Sequence, residues 1–337
     1  YGMVSDGIGY IYFERFVDGC SRDVRRAVVD LKEQGAKALV IDMRGNPGGP
    51  LSEAVEVTNL FVPRGQKVVY TKGKLASVNS EHYTKKEPLD VDIPVAVLVD
   101  GSTASSAEIV SGAWQDWDRA VIVGERTYGK GLVQMIREVP YHGSLKVTTS
   151  RYYIPSGRCI QAYDYRHLNP DGSAKTLPDS LTKAFKTAGG REVRDGGGIK
   201  PDVVITPDSL PSIVYDIATS DVLLDYVNRY VQTHATIAPA GDFSLTDADY
   251  ADFVKMVEES DFTYKRRTEE MMKLLERTAR FEGCYEGAKP EFEALAAKMK
   301  GGVAADLELP KNKEEIKSVL ESDIVARYYF RRGVVQQ

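Results

Sequence analysis

The feature that most restricts the fold is a pair of short, unbroken apolar runs, each leading through a small-residue turn into a helical segment. The runs are Ala38–Met43 (ALVIDM) and Pro94–Val99 (PVAVLV). A strand with one wet face alternates apolar and polar residues. An unbroken run is the pattern of a parallel strand covered on both faces. Helical segments are expected at Leu51–Phe61 after the first run and at Ala104–Trp117 after the second. Ahead of them, Gly7–Phe16 reads as a strand. Ser21 is expected to cap a helix from Arg22 to Gln34, with Val24, Ala27, Val28 and Leu31 on one face and Gly35 at its stop. Further strands are expected at Ala120–Val123, Leu132–Val139 and Leu145–Tyr153. This rhythm predicts an α/β fold with a mostly parallel sheet.

After Pro207 the texture changes. Ser209–Thr233, Thr246–Ser260, Tyr264–Phe281, Pro290–Lys300 and Lys311–Arg331 read as helices, and Thr246 followed by Asp247 and Asp249 is a helix start. The last segment places Ile316, Val319, Leu320, Ile324 and Tyr328 at helical spacing. The 337 residues therefore divide into an α/β core, 1–206, and a C-terminal α-helical extension, 207–337.

Composition narrows the function classes. A net charge of −5 gives no overall basic footprint for nucleic acid, and no apolar run is long enough for a membrane-spanning helix. Three scattered cysteines without CxxC, and four histidines without HxH or HxxxH, give no expectation of a disulfide framework or metal centre. Near the start, Asp6, Glu14 and Arg15 interrupt any apolar stretch, so no signal peptide is expected in these residues.

Three segments look built for chemistry. Asp42–Gly49 (DMRGNPGG) leaves the C-terminal end of a buried strand, where ligands of parallel sheets gather. Gly48 and Gly49 lack Cβ atoms and can present backbone N–H groups to a substrate oxygen; a tight turn explains the same residues. Asp100–Glu108 (DGSTASSAE) puts several hydroxyls at a helix N-terminus, which favours developing negative charge. Ordinary N-capping also uses such residues. Gly124–Gly131 (GERTYGKG) resembles a phosphate loop, but Gly131 stands where Ser or Thr would hold magnesium, and a strand-like stretch follows. What remains is Lys130, flanked by two glycines. A serine at a helix start and this lysine could form a Ser–Lys pair. A free lysine is neutral in only about 0.04% of molecules at pH 7. Lowering its pKa to about 8 raises that share to about 10% and costs about 3 kcal/mol. The surroundings of Lys130 are therefore expected to be enclosed and apolar.

Together, DMRGNPGG, GSTASSAEIVSGAWQDWDRAVIVGERTYGKGLVQ and YYIPSGRCIQ resemble the carboxyl-terminal processing (tail-specific) serine peptidases, over about Gly7 to Ile205. The resemblance implies a ClpP/crotonase-like core and a serine endopeptidase that acts on protein or peptide substrates through an acyl-enzyme. It implies no metal or organic cofactor and an extracytoplasmic, periplasmic setting. By family register the nucleophile falls on Ser105, the lysine on Lys130 and a third catalytic group on Gln134. The oxyanion hole falls on the backbone N–H groups of Gly48, Gly49 and Ser106. Members commonly carry a PDZ module before the GIGYI strand; six residues precede that strand here, so the module is expected to be absent from these residues. The helical extension lies outside the resemblance and could support a homo-oligomer.

Geometry adds two expectations. Asp116 also matches a family position, but along a continuous helix it lies about 16 Å from Ser105. A structural role is expected, in a pair with Arg119 or Arg126. Gln134 lies about 13 Å from Lys130 along a strand and reaches it only if the glycine loop folds back. Two alternatives stay open: a non-catalytic peptide-binding or scaffolding protein with an unassembled site, and a crotonase-like acyl-CoA enzyme.

Overall fold

A computed structural model describes residues 1–169, 171–206, 210–299 and 302–336. The chain forms two units, Tyr1–Thr206 and Pro207–Gln337. The expected start of the helical region, Pro207 to Ser209, lies outside the described residues, as does Lys300.

In the first unit a six-stranded sheet runs in the order Gly2–Ser5, Ile8–Tyr12, Ala38–Asp42, Val95–Val99, Val121–Gly124 and Val203–Val204. The first pair is antiparallel and every later pair is parallel. Leu39, Ile41, Val97 and Ile122 are buried, as the unbroken apolar runs require. Helix Cys20–Glu33 buries Val24, Ala27, Val28 and Leu31. Ser21 does not cap it. The cap position is Gly19, at φ 85°, and the Glu53 carboxylate accepts from the N–H groups of Gly19 and Ser21, both at 2.9 Å. An acid from the next helix thus satisfies the free N–H groups that a local serine was expected to serve.

A second, antiparallel sheet runs in the order Ser80–Tyr83, Lys67–Gly73, Gly143–Tyr153 and Leu132–Val139. Its first two strands were not expected. Leu132–Val139 is an edge strand. Two small ribbons follow, Tyr163–Leu168 with Ala174–Thr176 and Ala184–Lys186 with Glu192–Arg194.

The second unit is helical. Its described helices include Ser212–Ala218, Asp221–Thr233, Asp247–Glu259, Arg267–Phe281, Lys289–Met299 and Pro310–Gln336. The segment ending at Thr233 is two helices, because Ser220 starts a new one by accepting from Leu223 N–H. Thr246 and Asp249 exchange backbone–side-chain bonds at the start of the third. Ile213, Tyr226, Phe253, Ile316, Leu320 and Ile324 meet in one buried core. The last helix breaks at Phe330, where φ is 55°.

Candidate active site

Two turns meet at the C-terminal ends of adjacent parallel strands. One follows Ala38–Asp42 and the other follows Val95–Val99. The Asp100 carboxylate ties them, accepting from Gly45 N–H at 3.0 Å and from Ser102 and Thr103 N–H, both at 2.9 Å. Thr103 Oγ1 donates to Met43 O at 2.8 Å, and Ala104 N–H to Asn46 O at 2.9 Å. These bonds confine the chain to a sharp bend at Ser105, with φ 57° and ψ −118°, directly before helix Ser106–Asp116. Positive φ in a residue with a side chain costs about 1–3 kcal/mol and is held only by surrounding structure.

Ser105 and Ser106 have different environments. Ser106 is buried and its hydroxyl donates to Gly49 O at 2.7 Å. Ser105 is half-buried, its side-chain oxygen faces the Glu108 backbone N–H in a capping box, and its hydroxyl donates to no acceptor among the described residues. Spacing could not separate the two; hydrogen bonding does.

Gly48 lies against this bend. At φ 87°, a Cβ on it would meet Ala104 O and Ser106 N at 2.7 Å and Ser105 Cβ at 2.8 Å. Its N–H, expected as an oxyanion donor, is already committed to Asn46 Oδ1 at 2.9 Å. Asn46 is buried and fixed by donating to Phe13 O at 2.6 Å. The expectation for Gly48 is corrected accordingly: it shapes the wall, while Gly49 and Ser106 keep N–H groups without partners among the described residues.

Glu108 organises the site, a role the residue-by-residue reading missed. It is fully buried. Its Oε2 accepts from Ser105 N–H at 2.8 Å and from Lys130 N–H at 2.9 Å. Its Oε1 accepts from Gly129 N–H at 2.7 Å and Thr127 Oγ1 at 2.6 Å. The amide nitrogens of Ser105 and Lys130 therefore lie no more than about 5.7 Å apart, the sum of their distances to one oxygen. Burial pushes the Glu108 carboxyl above its ordinary pKa, and the hydrogen bonds from Thr127, Lys130, Gly129 and Ser105 oppose that shift. Every partner donates, which is the arrangement an ionised carboxylate needs. The buried Tyr152 hydroxyl adds a bond to Lys130 O and lies 3.4 Å from Ser105 O.

Lys130 itself is exposed, and the enclosed apolar setting expected for it is not found. The reason is alternation. Gly129 and Gly131 are buried, and added Cβ atoms would come within 2.3 Å of Ala162 and 2.7 Å of Gln161. The intervening side chain therefore faces outward, into a cleft of about 1120 Å³. Gln134, exposed on the edge strand, lines the same cleft. It makes no hydrogen bond to Lys130 among the described residues.

Asp116 is buried at the far end of the helix and pairs with neither Arg119 nor Arg126. Its partner is the buried Arg158, at 2.9 Å, and it also accepts from Ser156 N–H at 2.9 Å. Arg119 instead donates to the carbonyls of Phe61 and Ile93, at 2.9 and 2.6 Å. Burial pushes the Asp116 carboxyl up in pKa, and Arg158 draws it down. Asp116 makes no contact with Ser105 or Lys130 among the described residues.

Comparison with known proteins adds a separate line of argument. Residues 7–173 match the family described as peptidase family S41. Residues 213–337, outside the sequence resemblance, match the family described as probable PDZ-protease, C-terminal helical domain. A carboxy-terminal-processing protease of Bartonella bacilliformis is 35% identical over 196 residues, 57% of this chain and 44% of that protein. A carboxyl-terminal-processing protease of Synechocystis is 37% identical over 148 residues, 44% of this chain and 34% of that protein. A solved structure of a photosystem II D1 C-terminal processing protease shares 27% identity over 61% of this chain and 44% of that one, with a TM-score of 0.46. The chain thus spans less than half the length of these relatives.

Proposed function

We propose, from the match of residues 7–173 to peptidase family S41 and the similarity to carboxyl-terminal-processing proteases, that the chain is a serine endopeptidase of the carboxyl-terminal processing type, with Ser105 as nucleophile and Lys130 as general base. The observation that carries this reading is the Glu108 carboxylate, one oxygen of which holds the amides of both residues. A flexible four-carbon lysine stem can carry its amine from the cleft toward a serine anchored so near.

In this mechanism Lys130 Nζ, in its neutral form, takes the Ser105 hydroxyl proton as Oγ attacks the peptide carbonyl. The carbonyl oxygen becomes an oxyanion, stabilised by the N–H groups of Gly49 and Ser106 at the helix N-terminus. Lys130 then protonates the departing amine, leaving an acyl group on Ser105. Water, deprotonated by Lys130, hydrolyses that ester and restores the serine. Gln134, which lines the same cleft, orients substrate or Lys130 in this reading. Gly48 enters by shape, and Asp116 by anchoring the helix. As part of the same reading we place the protein outside the cytoplasm, in the periplasm, as the resemblance implies.

The test is labelling by a fluorophosphonate that reacts with activated serines. The wild-type chain should be labelled on one residue, and Ser105→Ala should abolish the label. A label that persists in Ser105→Ala and disappears in Ser106→Ala refutes the assignment. A second reading, a peptide-binding protein, draws on the outward-facing Lys130 side chain and the committed Gly48 N–H. It requires that substrate-length peptides bind without being cut.

A further inference from the structure

The cleft beside Ser105 carries a charge opposite to that of the chain. Overall the protein has a net charge of −5. The cleft is lined by five cations, Lys72, Lys74, Lys130, Arg151 and Arg166, and one carboxylate, Asp164. Asp164 is already engaged, by His167 at 2.7 Å and by Arg166 N–H at 3.0 Å. None of the five cations forms an ion pair among the described residues, whereas cations elsewhere in this unit do, such as Lys67 with Glu81 and Arg191 with Asp202. The arrangement also opposes sheet stability. Lys72 and Arg151 are direct cross-strand partners, and like charges set opposite each other destabilise a sheet. Both members line one cleft and neither lies within ion-pair distance of a carboxylate; Lys72 sits 5.4 Å over the Tyr70 ring and acts on Glu81 only through space, so the pair keeps positive charge toward the cleft.

We propose that this cleft selects polypeptide segments rich in aspartate and glutamate, and that Lys72 and Arg151 are its specificity-determining pair. The proposal rests on the peptidase reading in one respect, that the cleft reaching Ala104 and Lys130 receives polypeptide. Substrate carboxylates would supply the partners that the fold withholds, and attraction inside a recessed site raises both encounter rate and residence. The chain's overall negative charge works against long polyanions such as nucleic acid. Selection is therefore expected for local acidic stretches.

The experiment uses three fluorescent peptides of one sequence, with glutamate, glutamine or lysine at the same four positions. Binding to the full chain carrying Ser105→Ala is followed by anisotropy, so the result does not depend on turnover. At low salt the glutamate peptide should bind at least tenfold more tightly than the glutamine peptide, and the lysine peptide more weakly than either. At 0.5 M salt the first ratio should fall below about threefold, because screening shortens to a few ångströms. Adding Lys72→Glu and Arg151→Glu leaves three cations and three carboxylates in the cleft, and the preference for glutamate over glutamine should fall below about twofold. A wild-type tryptophan-fluorescence unfolding transition shows that the variant is folded. Equal binding of glutamate and glutamine peptides within twofold by the chain carrying Ser105→Ala alone overturns the proposal, as does an unchanged preference in the charge-swapped chain. The wild-type chain is given the same peptides in parallel. If the binding order holds and nothing is cut, the charge selection stands and the peptidase reading fails.

Discussion

Replacing Gly48 by alanine tests whether the wall behind Ser105 is as tight as its geometry implies. Two costs are separable. Gly48 has φ 87°, which an alanine adopts at about 1–2 kcal/mol. The new Cβ would also sit 2.7 Å from Ala104 O and Ser106 N and 2.8 Å from Ser105 Cβ. Two of these neighbours are backbone atoms, so relief requires the bend itself to move. Overpacking of this kind costs about 1–3 kcal/mol. Gly45 provides the control: its φ is 72°, and nothing lies within 4 Å of its Cβ position. Gly45→Ala should lose about 1–2 kcal/mol, and Gly48→Ala about 2–5 kcal/mol. Urea unfolding can be read by tryptophan fluorescence, because both tryptophans, Trp114 and Trp117, lie in the first unit. With a slope of about 2 kcal/mol per molar urea, the Gly48→Ala midpoint should fall about 1 M further than the control. A displaced bend should also slow fluorophosphonate labelling about 100-fold, the loss expected of an ångström-scale misplacement. Equal midpoints and unimpaired labelling in the two variants would refute this account of the wall.

Glu108→Gln sets an amide donor against groups that all donate. It should cost about 1–3 kcal/mol by the same fluorescence assay, and peptide hydrolysis should fall more than 100-fold. Asp116→Ala leaves the Arg158 guanidinium buried without its partner and should lower stability by about 3–5 kcal/mol, measured by urea unfolding. In the molecules that remain folded, labelling of Ser105 should persist. Acid titration isolates Asp90. Burial alone would raise its pKa, yet the Lys32 ammonium and the amides of Ile93 and Asp92 hold it down to about 2, from an ordinary 3.8. A depressed acid contributes stability above pH 4 that is lost as pH falls toward 2. For a pair this open to water the contribution is about 1 kcal/mol. Asp90→Asn should flatten that part of the stability profile, followed by thermal unfolding between pH 5 and pH 2.

The parallel sheet was legible because its strands are buried on both faces, and that condition writes itself as ALVIDM and PVAVLV. The last helix was legible because Ile316, Leu320 and Ile324 repeat at helical spacing and are all buried. The strands Lys67–Gly73 and Ser80–Tyr83 escaped notice because neither alternates simply: the first buries Val68 and Val69 in succession, and the second is mostly exposed. The Ser21 cap failed for a different reason: its place is taken by Glu53, more than 30 residues away, and no local pattern announces such a partner. At the candidate site the local half of Glu108 had a signal. Ser105-Ser106-Ala107-Glu108 has the spacing of a capping box, in which the acid reaches back to the first amide. Its bonds to Thr127, Gly129 and Lys130 depend on the tertiary fold. Lys130 illustrates the converse. Its glycine neighbours stand where the backbone closely approaches Ala162 and Gln161, and alternation turns the lysine itself outward.

The central claim is a Ser105–Lys130 peptidase, and cleavage of an unfolded protein such as casein near pH 8 tests it most directly. Wild type, Ser105→Ala, Lys130→Ala and Ser106→Ala are compared, each first shown to unfold with a wild-type fluorescence transition. The account predicts cleavage by wild type, loss of at least 1,000-fold in the Ser105 and Lys130 variants, and retention within about tenfold in Ser106→Ala. Undiminished cleavage by Ser105→Ala or by Lys130→Ala would contradict it.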